Sequence, residues 1–222
     1  MTDAAPAAGT RRAQAAAQTQ AALKEAAVRV FDRTGYLLAK ITDITAEAGR
    51  AAGSFYSHFD SKDELLEALL GDVLEAGRRR AALPGHDPDF SRLAAVRWHV
   101  AGYWDFVSRN RPVILALYQA AMVSEHFARR QRELMAPLRA EMAGHLEYVT
   151  AAGGRLPADP AAVAEAMISL MSGYAYTWLT GGGAGSGPQL TADEAVDLVS
   201  AFIYSGIMGQ PPGDHESAVA AG

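Results

Sequence analysis

The chain reads as an all-α protein of about nine helices, and three observations predict this. Apolar residues recur at i, i+3, i+4 and i+7 along most of its length, two runs have the Ser/Thr-x-x-Glu form that caps a helix start, and no segment shows convincing period-2 alternation.

The elements follow in order. Residues 1 to about 18 are Ala, Gln, Thr and Pro with Arg11 and Arg12, and are expected to form a mobile arm. From Thr19 onward, Leu23, Ala26, Ala27, Val30 and Phe31 mark an amphipathic helix that Gly35 ends. Thr42 is placed to cap a second helix with Ile44 and Ala48 on one face, and Gly49 to supply the positive φ that ends it. Ala51 to Phe59 then brings Phe55 and Phe59 to helical spacing. Ser61 and Glu64 form a capping box for a long helix to about Arg80, with Leu65, Leu66, Leu69 and Val73 on its apolar side.

Leu83 to Asp89, with Pro84, Gly85 and Pro88, is the clearest boundary. Beyond it, Asp87-Pro88 should open a helix through about Ser108, and Asn110-Arg111-Pro112 another. A long segment runs from about Ser124 to Gly153-Gly154, and Asp159-Pro160 opens a helix to about Thr180. GGGAGSGP reads as a flexible loop, and Thr191 to Glu194 is a second capping box that leads into a last helix to about Met208. The expected organisation is an arm (1–18), a small head with its connecting helix (19–80), a larger helical domain (87–208) and a loose tail (209–222).

Composition narrows the function. Half of the 222 residues are hydrophobic, enough for a real core, and the absence of cysteine excludes a disulfide framework, a thiolate zinc site and a cysteine nucleophile. The cytosol is the simplest home, because AQAAAQTQ stands where a secretion signal would need an apolar core. Ala161 to Leu179 contains Glu165, Ser169, Ser172 and Gly173, and reads as a buried helix rather than a membrane span. The net charge of -5 is unevenly spread: residues 1–80 carry 11 basic and 11 acidic groups, residues 81–222 carry 9 and 14. The three lysines, Lys24, Lys40 and Lys62, all lie in the first third. Such a head suits a few placed phosphate contacts rather than a broad basic field.

Catalytic constellations are missing. The histidines at 58, 86, 99, 126, 145 and 215 show no tight metal spacing, so neither a metal site nor a cofactor is expected. GGGAGSGP fails the G-x-G-x-x-G pattern, no G-x-S-x-G occurs, and carboxylates such as Glu141 and Glu147 read as helix surface. An enzyme is left only as an unrecognised helical type.

The run from Ile41 to Leu66 is the most informative. Two short helices around a glycine turn, followed by a capped third, have the layout of a helix-turn-helix DNA reader. Ala51, Ala52 and Gly53 make the third segment slim at its start, so that backbone amides can approach phosphates or base edges. Ser54, Tyr56, Ser57 and His58 lie outward, Arg50 in the turn is the candidate for guanine reading or a phosphate grip, and the Tyr56 hydroxyl suits phosphate. Lys62, a cation in the first turn of a helix, suggests an external anion. The competing reading is a three-helix packing unit in which Tyr56 and His58 are half-buried polar residues.

The motifs A-A-V-R-V-F-D-R-T-G-Y (26–36), I-T-D-I-T-A-E-A-G (41–49) and G-S-F-Y-S-H-F-D-S-K-D-E-L-L (53–66) resemble the TetR family of bacterial transcriptional regulators over residues 18 to 70. The resemblance implies that Thr42, Tyr56 and Lys62 hold backbone phosphates, while Arg50, Ala51, Ala52, Gly53, Ser54, Ser57 and His58 lie in or beside the groove. Two departures matter: Arg50 stands where an aliphatic residue is common, and Ala51-Ala52 replaces a common Ser-Lys pair. Loss of that lysine shifts base choice toward Arg50.

The resemblance also implies a homodimer on a near-palindromic operator, most commonly a repressor, released when a small-molecule effector shifts the long helix after Ser61. The dimer candidates are Met167, Leu170, Tyr174 and Trp178 in one helix and Leu198, Val199, Phe202 and Ile203 in the next, although such stripes also make ordinary core. Trp98, Tyr103, Trp104, Tyr118, Met122, His126, Met142, His145, Tyr148, Met167, Met171 and Tyr174 are candidates to line a chamber for an apolar or aromatic effector, and suit a core equally well. A helical ligand-binding or scaffold protein that leaves the head unused for DNA is the alternative.

Overall fold

The computed structural model describes residues 8–82, 85–181 and 190–209, and among these it holds nine α-helices and no strand. They are α1 (Ala8–Leu38), α2 (Ile41–Glu47), α3 (Ala52–Phe55), α4 (Lys62–Ala81), α5 (Leu93–Arg109), α6 (Arg111–Val123), α7 (Glu125–Ala151), α8 (Pro160–Thr180) and α9 (Ala192–Met208). Most predicted boundaries hold to within a residue or two, because they rest on caps with a physical mechanism. Asp159 accepts a hydrogen bond from the Ala161 amide before Pro160, and Thr191 and Glu194 bond reciprocally at the start of α9.

Some expectations are corrected. Residues 8–18 continue α1 instead of forming a mobile arm, as their run of good helix formers allows. Asp87-Pro88 does not open α5: Asp87 and Asp89 fold the chain into successive side-chain turns by accepting the amides of Asp89 and Ser91, and the helix begins at Leu93. Most of GGGAGSGP and the tail from 210 lie outside the described residues.

The chain divides into two compact units, residues 1–76 with 111–131 and residues 77–110 with 132–222. The division falls within α4, not at the Pro-Gly segment 83–89, and α6 joins the first unit. Periodicity could not reveal this, since it shows that a helix has an apolar face without showing which partner covers it.

In the first unit α1 packs on α6 and α2. Leu23, Ala26, Ala27 and Val30 are fully buried on the predicted stripe. Gly35 interrupts α1 with φ 72°, and a Cβ there would stand 3.2 Å from the side-chain Oε1 of Gln119 in α6, which accepts the Tyr36 amide at 2.7 Å. Arg29 and Arg33 both pair with Glu47 and tie α1 to α2. These pairs, the bond from Arg29 above all, hold the Glu47 carboxyl below the usual range.

In the second unit α5 packs on α9 and α8. Val96, Val100, Trp104 and Val107 of α5 are buried, as are Ala195, Val196, Val199, Ile203 and Ile207 of α9. The Trp104 ring lies edge-on to Trp178, with centroids 5.2 Å apart, and tilts against Tyr174 at 5.8 Å. Among the described residues, no helix is long and apolar enough to cross a membrane.

Candidate nucleic-acid interface

The interface is built on a glycine-terminated helix. At the end of α2 the Arg50 amide bonds to the Thr45 carbonyl at 2.9 Å and the Gly49 amide to that of Ala46 at 3.0 Å, with Gly49 at φ 63°. This is the Schellman closure, in which the left-handed residue lets two orphan carbonyls find donors. The turn then reverses the chain into α3. Ile44, Thr45, Phe55 and Phe59 are buried beneath it, and the Phe55 and Phe59 rings lie 5.7 Å apart. The third segment is shorter than Ala51 to Phe59: α3 proper is one helical turn, extended by tight turns in which the His58 and Phe59 amides both bond to the Phe55 carbonyl.

What this scaffold leaves outside is polar and slim. Thr42, Arg50, Ala51, Ala52, Gly53, Tyr56 and Ser57 are exposed, and Ser54, His58 and Lys62 are half-buried. Tyr56 is 60% exposed, its ring held edge-on against Phe55. The Ser54 hydroxyl donates to the Ala51 carbonyl at 2.8 Å, so its lone pairs face outward more readily than its proton. A Cβ at Gly53 would meet nothing within 4 Å, so packing inside the protein does not require the glycine.

Two sequence arguments change at this site. Thr42 is not the cap of α2: it lies inside the first turn, its carbonyl accepts the Thr45 hydroxyl, and Lys40 occupies the cap position with its amide bonded to Asp43. Lys62 does not lack partners within its own chain. Its Nζ donates to the carbonyls of Tyr36 at 2.6 Å and Ala39 at 2.9 Å and lies 4.2 Å from the centre of the Tyr36 ring. The negative end of α1 thus answers the electrostatic objection to a lysine here, and one of its three donors is left over. Burial pulls the Lys62 pKa down, and neighbouring Asp63 partly offsets this. The Tyr36 hydroxyl donates to Asp63, and its pKa is raised, first by burial and then by that carboxylate. Ser61 caps the Glu64 amide as predicted, but Glu64 reaches the Asp60 amide, one residue before the expected partner.

The residues expected around an effector separate into groups. Tyr118, Met122 and His126 fall in the first unit, and Met122 and His126 lie on its surface, as Tyr148 does on the second unit. Trp98, Tyr103, Trp104, Met142, His145, Met167, Met171 and Tyr174 are buried or half-buried in the second unit. The Trp104 indole N–H is buried with no acceptor among the described residues, a state that polar groups in cores rarely keep. A cleft of about 120 Å³ does occur in the first unit, between Phe31 and Tyr36 of α1 and Leu115 and Gln119 of α6, below the size usual for a small-molecule pocket.

The dimer stripe also divides. Met167, Val199 and Ile203 are buried against their own chain and are core, whereas Leu170, Leu198 and Phe202 are 37%, 49% and 67% exposed. Tyr174 and Trp178 are half-buried against Trp104.

One grouping was not legible in the sequence. His86 after α4, His99 in α5 and His145 in α7 come together, with ligand nitrogens all within 4.8 Å of one another. Their sequence spacing carries no metal motif, as read above: they are 13 and 46 residues apart and arrive from three elements, so no short motif could announce them. Burial first, then neighbouring His99 and His86, pushes the His145 pKa down to about 4. Burial lowers His99 too, against a raising bond to the Ala95 carbonyl.

A helix-turn-helix head carried by a helical body defines the class, a regulator built to meet DNA. Comparison with known proteins agrees. The model for bacterial regulatory proteins of the tetR family matches residues 23–69, and that for the C-terminal part of BetI-type transcriptional repressors matches 107–207. The chain belongs to the TetR family. It is 32% identical over 87 residues to the transcriptional regulator TtgR of Pseudomonas putida, 39% of this chain and 41% of that one. It is 29% identical over 145 residues to the transcriptional repressor NicS of the same species, 64% and 66% of the two chains. The matches thus span about four tenths to two thirds of these relatives. A TetR-like regulator from Rhodococcus sp. RHA1 superposes with TM-score 0.62 at 25% identity over 86% of this chain and 97% of that one. A TetR-family structure from Syntrophomonas wolfei shares the fold, with TM-score 0.69 at 16% identity over 88% and 98%.

Proposed function

We propose that the protein is a sequence-specific DNA-binding transcriptional regulator, a repressor that leaves a near-palindromic operator when a small-molecule effector binds. The observation that carries this reading is the α2-turn-α3 geometry: an apolar floor of Ile44, Phe55 and Phe59 fixes a narrow outward face of Arg50 to Ser54, Tyr56 and Ser57. Tyr56 and Thr42 grip phosphates, Lys62 adds its remaining donor, and Arg50 reads a base. Repression accords with the BetI-type match and with the name of NicS.

Outward Leu170, Leu198 and Phe202 support a homodimer formed through α8 and α9, because a single head of this size covers too little DNA for a specific site. In the second unit the unanswered Trp104 N–H beside the Tyr174 and Trp178 rings suits an apolar or aromatic effector with one acceptor atom. The work is cytoplasmic, where bacterial DNA lies.

Mobility-shift assays on genomic fragments, including the region upstream of its own gene, test the reading. A salt-sensitive shift lost in Tyr56→Ala supports it. Effector binding with no DNA shift at low salt would favour the alternative, a helical ligand-binding protein whose head does not serve DNA.

A further inference from the structure

We propose that His86, His99 and His145 form a binding site for one divalent transition-metal ion of the zinc type. The proposal rests on geometry within the second unit and does not depend on the DNA-binding reading.

The Nε2 atoms of His86 and His99 are 3.1 Å apart. Two neutral imidazoles can share only one proton across such a gap, whereas zinc–nitrogen bonds of about 2.05 Å at a tetrahedral angle place their nitrogens about 3.3 Å apart. Nδ1 of His99 donates to the Ala95 carbonyl at 2.9 Å. That bond leaves the Nε2 lone pair facing His86, the usual way in which a backbone acceptor orients a metal-binding imidazole. Nδ1 of His145 is buried with no hydrogen-bond partner among the described residues. Its ligand nitrogen is within 4.8 Å of the other two, so a modest side-chain adjustment completes a three-nitrogen cradle.

The surroundings fit. The Phe90 ring lies 4.8 Å from that of His99 and 5.0 Å from that of His145, which excludes water from one side. The Asp87 carboxylate attracts positive charge at His99, and the Arg80 guanidinium, stacked 4.9 Å over the Trp98 ring, opposes it. All-imidazole ligation suits zinc, copper or nickel rather than magnesium or calcium, and three protein ligands leave a fourth position open to water or to a donor atom of a small molecule.

The test is titration of Zn²⁺ into tag-free, chelator-stripped full-length protein, followed by calorimetry or by competition with a chromophoric chelator. The proposal predicts one ion per chain, an affinity lower by on the order of 100-fold or more in His86→Gln and in His145→Gln, and no change in His126→Gln. His86 is in a half-buried loop, so His86→Gln should retain the wild-type circular dichroism even if His145→Gln does not. Absence of a stoichiometric ion in the wild type, or undiminished affinity in a folded His86→Gln, would overturn the site and leave a packed stack of neutral imidazoles.

Discussion

Lys62→Met removes an ammonium and keeps the apolar stem, and its cost can be worked from three contacts. The Tyr36 and Ala39 carbonyls lie at the end of α1, where helix carbonyls lack partners of their own, and Lys62 answers both. Hydrogen bonds to a charged donor contribute about 1.5–3 kcal/mol each, and solvent reaching a half-buried lysine brings the pair to about 2–3 kcal/mol. The contact with the Tyr36 ring adds about 0.5–1 kcal/mol. Lys62→Met should therefore lose about 2.5–4 kcal/mol, read as a lower urea midpoint with unchanged slope by far-UV circular dichroism. Its loss of DNA affinity should exceed that of a pure phosphate contact, since the floor of the head loosens too. Stability within about 0.5 kcal/mol of wild type would refute the reasoning and return Lys62 to a role met only on DNA.

Gly53→Ala should fold as well as wild type, or better by up to about 1 kcal/mol because its Cβ meets nothing, yet bind DNA more weakly in a mobility shift; full DNA affinity would deny close approach at α3. Arg50→Ala should change which sequences are selected from a random DNA pool, whereas Tyr56→Phe should weaken binding about equally across sequences. Phe202→Glu should shift sedimentation of the free protein toward the monomer. In metal-free protein His145 supplies a pH dependence of defined sign. Its folded pKa of about 4 lies below the ordinary histidine value, so the unfolded chain takes up the proton first, and stability falls as pH drops from about 6.5 to about 4. The loss is roughly 2–3 kcal/mol, absent from His145→Gln, and urea midpoints of the two proteins at both ends of that window check it.

The sequence made local structure legible and left partnership closed. Gly49, Asp159 and the Thr191–Glu194 box announced helix ends because each supplies a conformation or a hydrogen bond that acts within a few residues. The head was readable for the same reason: Ile44, Phe55 and Phe59 sit at spacings whose burial follows from the turn between them. Lys62 was misjudged because its partners are 23 and 26 residues back, at a helix end that folds over it. Val199 and Leu198 are neighbours on one apolar stripe, yet one is buried and the other exposed, a distinction only packing makes. The three histidines lay beyond sequence reasoning altogether, since nothing local ties His145 to His86.

The central claim is that the face around the α2-α3 turn reads DNA. Selection of genomic fragments on the purified full-length protein, followed by a salt titration of the winners with wild type and Tyr56→Ala, tests it most directly. A recurring near-palindrome, bound with affinity that falls steeply with salt and is lost in the folded Tyr56→Ala, is the predicted result. Fragments without a common motif, or equal retention by Tyr56→Ala, would contradict it.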